Sequence, residues 1–476
     1  MVSTQAASKL ARSAAVLVGR KIAVSAMSAT ASVIVVRSLL PEQFGQYAAG
    51  LAAFYVLLAL TDFGLGEVLG RSLGRRPEGA QHRIRVVLRV HLTWSATVAL
   101  GGLAFAVLVG IGTIRGGVLL ALIPAVAVAG ASCLRQVFYA RHAVGRLATL
   151  DLMTTAASTV GLIVLAVADA PPFLLAAVAS LAATINSLLV IRLAWPLTSS
   201  GDVVDADGLD ARTVVSQAAP IGVASFLASA YFSIDVVLLA SLLPAEDIGR
   251  YAAAVKVLTI LIMVPGVVMG MALPQVSAEL IDRARVTALL AQVWHWFASL
   301  VLPGFVLVSL YAATAMGLLF GPHYVDAAPL LRILMLAGVV QMCSQVLSVV
   351  VVAAARSAWL IGQNILALVI NVGGNLLLTP RFGMAAAAWL TVLTELTVCV
   401  GSCWALRHRL DLGPLLRMTA APALAMAPMV GVWSLLPGRP WVSIPLCCLA
   451  YLITLTALRG WPTELTAALL KWRKLA

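Results

Sequence analysis

Apolar runs of about 20 residues recur along the whole chain, separated by short basic or Gly/Pro-rich stretches. The runs are rich in Ala, Leu and Val and do not alternate with polar residues, as the strands of a membrane barrel would. In lipid every backbone polar group must be satisfied within its own segment, so continuous runs of this kind are helical spans. The pattern predicts fourteen of them: roughly 17–38, 46–69, 87–110, 117–138, 148–168, 172–193, 214–240, 250–273, 293–316, 328–351, 358–378, 384–405, 418–436 and 441–458. Arg20 and Lys21 interrupt the first. The expected fold class is an all-α polytopic membrane protein with about 14 transmembrane helices.

Composition narrows the class further. Of 476 residues, 62% are hydrophobic and 11% charged, whereas soluble domains carry about 25% charged residues. That excludes a soluble enzyme, a disordered chain and a fibrous protein. The net charge of +13 would suggest nucleic acid in a soluble protein. Here 25 of the 32 Lys and Arg fall on one side of the alternating spans. The other seven are Arg37, Arg115, Arg250, Lys256, Arg332, Arg381 and Arg439. Excess Lys/Arg marks the cytoplasmic side, so the charge is a topology signal, both termini are expected in the cytoplasm, and no nucleic-acid partner is expected. No small-residue cleavage site follows the first apolar stretch, so a cleaved signal peptide is not expected. The six cysteines lie inside apolar runs without a CxxC pattern, and the six histidines are scattered singly. With no GxxxxGK[ST], no HExxH and no sizeable external loop, no cofactor, metal or enzymatic activity is expected.

The longest polar stretch, 195–213, carries Asp202, Asp205, Asp207 and Asp210. It is expected to be an acidic cytoplasmic linker between six-helix bundles at 1–194 and 214–410, with two extra helices and a basic tail at 411–476. Residues 275–292, ahead of Trp294 and Trp296, suggest a surface amphipathic helix anchored by interfacial aromatics. An internal repeat supports the two-bundle division. Residues 38–49 and 241–253 share Ser, Leu, Leu, Pro, Gly, Tyr, Ala and Ala once a single insertion is allowed. The copies stand six spans apart, an even number, and so have the same orientation. That predicts two parallel bundles around a central cavity, suited to alternating access.

Several stretches then carry a family likeness. The first is Val35-Val36-Arg37-Ser38-Leu39-Leu40-Pro41-Glu42-Gln43-Phe44-Gly45-Gln46-Tyr47 with Thr61-Asp62-Phe63-Gly64-Leu65-Gly66. It resembles the opening hairpin of Wzx-type polysaccharide flippases of the multidrug/oligosaccharidyl-lipid/polysaccharide exporter superfamily. Ser233 to Leu239, Ile248 to Lys256, and Asn375 to Ala388 resemble that family's second half. The resemblance implies a transporter in the bacterial cytoplasmic membrane. Its substrate would be a polyprenyl-pyrophosphate-linked oligosaccharide, and its partners membrane lipid, a polysaccharide polymerase and glycosyltransferases. Two other readings stay open: a multidrug or small-molecule antiporter of the superfamily, and a non-transport scaffold of a glycan-synthesis complex.

Ionisable residues inside the membrane are the candidate site, since each costs roughly 2.5–3.5 kcal/mol at mid-bilayer unless it has a partner or a cavity. Glu395 lies near the centre of span twelve, opposite Asn364, Asn371 and Asn375, whose spacing puts them on one face of span eleven. They are expected to line a cavity or to bond between helices, with Glu395 a candidate for proton coupling. A scaffold would have no use for Glu395. Asp235 and Lys256 are level across the turn joining spans seven and eight, where they suit a structural ion pair or a gate. Arg20 and Lys21 lie near the level of Asp62 and Glu67. The two basic residues anchor the helix end or hold a lipid pyrophosphate, with Asp62 a further coupling candidate. Arg37 and Arg332, near the outer ends, could receive the head group.

Overall fold

The computed structural model describes residues 4–75, 80–110, 113–141, 143–198, 210–280, 282–354 and 357–462, with the side chains of 4–18 and a few others outside that set. Every apolar stretch predicted to span is helical, and no strand occurs among the described residues. Eleven described helices are long and apolar enough to cross a membrane. The longest of these, Ala358–Leu406, bends back at Gly383 (φ 61°) and so holds two predicted spans. Large apolar side chains point outward, including Leu108 (84% exposed) and Leu435 (79%). A surface of that kind has lipid, not water, as its solvent.

Contacts divide the chain into two units, 1–249 and 250–476. The first holds α1 (Thr4–Ser38), α2 (Pro41–Asp62), α3 (Leu65–Arg75), α4 (Ala80–Val109), α5 (Ile114–Val128), α6 (Arg135–Ala140), α7 (Val144–Val167), α8 (Pro172–Thr198) and α9 (Ala211–Leu242). In it α1 packs on α7, α2 on α5 and α9, and α5 on α4 and α8. Leu69, Ile84, Leu134, Phe138 and Val190 are buried in its core. The second unit takes in most of α10 (Ala245–Ala278), then α11 (Arg283–Trp296), α12 (Leu302–Leu310), α13 (Ala312–Phe320), α14 (Ala328–Ala353), α15 (Ser357–Leu406), α16 (Gly413–Leu435) and α17 (Pro440–Ala457). Most of the predicted acidic linker, residues 199–209, lies outside the described residues. Asp210 at its end caps α9, its carboxylate accepting from the Thr213 amide at 2.9 Å.

The repeat has a structural counterpart. A Cβ on Gly45 would strike the carbonyl of Ala245, and one on Gly249 would strike the carbonyl of Pro41. Each repeat glycine faces the first turn of the other copy. That reciprocity is the pattern of an isologous, two-fold contact, and no larger residue fits either position.

Several spans are interrupted. Phe63 (φ 27°) and Gly64 (φ 72°) separate α2 from α3. A 3₁₀ segment, Ala129–Leu134, separates α5 from α6, and a π segment, Phe297–Val301, joins α11 to α12. The region expected to be a surface amphipathic helix is different. Residues 279 and 280 form a bend and a turn after α10, and α11 runs on through the π segment into a 28-residue apolar span, Arg283–Leu310. Trp294 is buried and donates to Thr419 at 2.8 Å. The aromatics taken for interfacial anchors thus include one that holds α16 in place. Tyr451 on α17 donates to Ser299 O at 2.7 Å, satisfying a carbonyl within the π segment.

Candidate functional site

The break between α2 and α3 frees the last carbonyls of α2. Two side chains of α4 meet them: His91 Nε2 lies 2.8 Å from Thr61 O, and Trp94 Nε1 donates to Leu60 O at 2.7 Å. His91 is fully buried. The turn also presses on α9, where a Cβ on Gly222 would come within 2.5 Å of Phe63 O. Asp62 ends α2 at this turn, exposed, with Glu67 exposed in the first turn of α3. α2 is 22 residues long, enough to cross a membrane by itself, so the break and its carboxylate lie at the end of that span.

A second polar group lies across α6, α7 and α8. Arg135 grips Asp151 with two bonds, Nη2 to Oδ1 at 2.8 Å and Nη1 to Oδ2 at 3.0 Å. Arg135 Nη2 also donates to Asn186 Oδ1 at 3.1 Å. Asn186 Nδ2 in turn donates to Asp151 Oδ1 (3.1 Å) and Thr154 Oγ1 (2.9 Å). Asp151 is the eighth residue of α7, about 10 Å along it at 1.5 Å per residue. The Arg135 and Asp151 side chains are 34% and 30% exposed. An ion pair is costly where it faces lipid hydrocarbon. Sequence reasoning assigned Arg135 to topology and passed over Asp151 and Asn186. The available signal was that both are polar residues inside apolar runs, but they sit on separate helices with no local pattern joining them.

Arg20 also reaches α7, its Nη1 donating to Gly145 O and Thr149 Oγ1, both at 2.8 Å. Lys21 is helical, but its side chain lies outside the described residues. Arg37 is exposed in the last turn of α1, and Arg332 is exposed near the start of α14. Asp235 is half-buried on α9, its Oδ1 accepting from the Val236 amide at 2.8 Å. Lys256 is half-buried on α10, in the second unit.

In the second unit the asparagines form a ladder along the first limb of α15. Asn375 Nδ2 donates to Asn371 O (2.9 Å) and Oδ1 (3.2 Å), and Thr379 Oγ1 donates to Asn375 Oδ1 at 2.8 Å. Asn371 and Asn375 are buried, at 4% and 1% exposure, while Asn364 is half-buried. Glu395 is buried on the second limb, and Ser344 of α14 donates to its backbone carbonyl at 3.3 Å. No group of His, Cys, Asp and Glu among the described residues could hold a metal ion.

This architecture defines a polytopic helical membrane protein with the fold of lipid flippases and exporters. Residues 10–278, more than half of the chain, match the family described as Polysaccharide biosynthesis protein, and the chain belongs to that family. Among solved structures it is similar to the lipid II flippase MurJ in an inward closed conformation. There the TM-score is 0.73 at 9% identity, covering 93% of this chain and 98% of that one. It is also similar to an inward-facing multidrug resistance MATE family transporter of the MOP superfamily, with TM-score 0.64, 15% identity and coverage of 83% and 96%. A MOP superfamily transporter from Pyrococcus furiosus gives TM-score 0.56 at 15% identity, covering 79% and 95%. No curated protein matches the chain by sequence.

Proposed function

We propose that the protein is a secondary transporter that flips a lipid-linked oligosaccharide, a polysaccharide precursor, across the bacterial cytoplasmic membrane by alternating access. The observation that carries this reading is the half-exposed Arg135–Asp151–Asn186–Thr154 group within the spans of a chain of the polysaccharide biosynthesis family. Arg135 is neutralised by Asp151, so the group offers amide, hydroxyl and carboxylate atoms suited to sugar hydroxyls, while the pyrophosphate falls to guanidiniums with open donors. Arg20 of α1 is such a guanidinium, with two of its five donors used by Gly145 and Thr149 of α7. Arg37 and Arg332 are the candidate receivers near the outer ends, and Asp62 and Glu395 the candidate coupling carboxyls.

The test is reconstitution into liposomes with a polyprenyl-pyrophosphate oligosaccharide whose sugar can be modified only from one face. The wild-type chain should expose the sugar on the opposite face. Arg20→Gln and Arg37→Gln should abolish flipping at unchanged membrane abundance. Export of cationic dyes without lipid flipping would instead identify a drug antiporter. Inactivity toward both substrate classes would identify a scaffold.

A further inference from the structure

A cavity of about 410 Å³ in the second unit is lined by Leu280, Arg283, His408 and Arg409. It lies where the turn after α10 meets the connector from α15 to α16. Arg283 Nη2 donates to Leu410 O at 3.3 Å, and the Asp411 amide donates to Thr287 Oγ1 at 3.3 Å, so the connector is tied to α11 at two points. Arg407 lies 4.0 Å over the ring of Trp404, which is 59% exposed.

Two of the three nearby carboxylates share Arg285, and the third, Asp411, bonds only a backbone amide and keeps its charge, so the corner carries an excess of one positive charge. Asp282 and Glu279 pair with Arg285 at 3.2 and 3.3 Å. Asp411 Oδ1 accepts from the Gly413 amide at 2.9 Å. Arg283, Arg407 and Arg409 form no ion pair among the described residues. Two guanidiniums, Arg283 and Arg409, and His408 thus line one small cavity, with Arg407 beside them donating from Nε to His408 Nε2 at 3.0 Å, on the side that the Lys/Arg asymmetry assigns to the cytoplasm. On the two helices that the connector joins, Val400 of α15 and Leu416 of α16 are exposed at 61% and 72%, a surface suited to acyl chains.

We propose that this corner binds the phosphate of an anionic phospholipid of the cytoplasmic leaflet. The guanidiniums hold the phosphate, Trp404 marks the headgroup level, and the acyl chains lie along α15 and α16. This binding does not depend on what the chain transports.

Native mass spectrometry of the full-length protein, given equal phosphatidylglycerol and phosphatidylcholine, tests it. The wild type should retain phosphatidylglycerol preferentially, by about fivefold for an excess of one positive charge. R407Q/R409Q, which alters only exposed connector side chains, should bring the ratio close to parity. R407K/R409K keeps the charge and should retain part of the preference, while the outer-side control R439Q should retain all of it. An unchanged ratio in R407Q/R409Q, or no preference in the wild type, overturns the proposal. Full displacement of the lipid by millimolar inorganic phosphate also overturns it and assigns the cavity to soluble anions.

Discussion

The Arg135–Asp151 pair allows a test in which structure and function separate. Arg135→Gln leaves Asp151 charged with Asn186 and little else. Asp151→Asn leaves a guanidinium facing a neutral amide. Removing one partner of a fully buried pair costs about 3–5 kcal/mol. This pair is about a third exposed, so each single change should cost about 2 kcal/mol. The double variant carries no stranded charge, and its Gln and Asn can still bond with Asn186. Its cost should be about 1 kcal/mol, a coupling of about 3 kcal/mol between the two positions. Thermal unfolding of the detergent-solubilised protein should therefore rank wild type above the double variant, and the double variant above either single one. A rank is the right readout because such unfolding is commonly irreversible. A double variant that melts below both singles would refute the ion-pair account. Flipping by the double variant then decides the role. Normal transport makes the group structural, whereas lost transport at restored stability assigns it to the substrate path.

Three further outcomes are expected. Gly45→Ala should melt earlier by the equivalent of about 1–3 kcal/mol, because its new Cβ strikes the Ala245 carbonyl. Gly101→Ala, with nothing within 4 Å of the added carbon, should be neutral or mildly stabilising; equal behaviour of the two would refute the close approach. His91→Ala should lose about 1 kcal/mol or more by leaving Thr61 O unpaired at the α2–α3 break, and an unshifted melting curve would show that the break needs no such support. Glu395→Gln should remove the dependence of flipping on an imposed proton gradient, and dependence equal to that of the wild type would exclude Glu395 from coupling.

Much of the fold was legible because a bilayer tests each segment separately. Twenty apolar residues make a span wherever they occur, so each predicted run is helical. The repeat was legible for a related reason. Its Pro and Gly are local necessities of a tight turn, and their equal spacing in the two copies foreshadowed the reciprocal contact of Gly45 and Gly249. Glu395, Asn371 and Asn375 were also visible in advance, as polar residues set in apolar surroundings.

What remained hidden depends on contacts between segments distant in the chain. Nothing near Arg135 announces that Asp151 and Asn186 will meet it, and the basic-residue count treated it as one charge among many. The Phe63–Gly64 break is tolerated because α4, thirty residues on, supplies His91 and Trp94 to its carbonyls. Trp294 looked like an interfacial anchor until Thr419 gave its indole a partner inside the protein. The amino-acid sequence by itself determined the lipid-spanning helices and the repeat, because hydrophobicity and turn chemistry act over a few residues. Only the tertiary structure decided which polar groups share a site, because hydrogen bonds and ion pairs form between side chains that the chain order keeps apart.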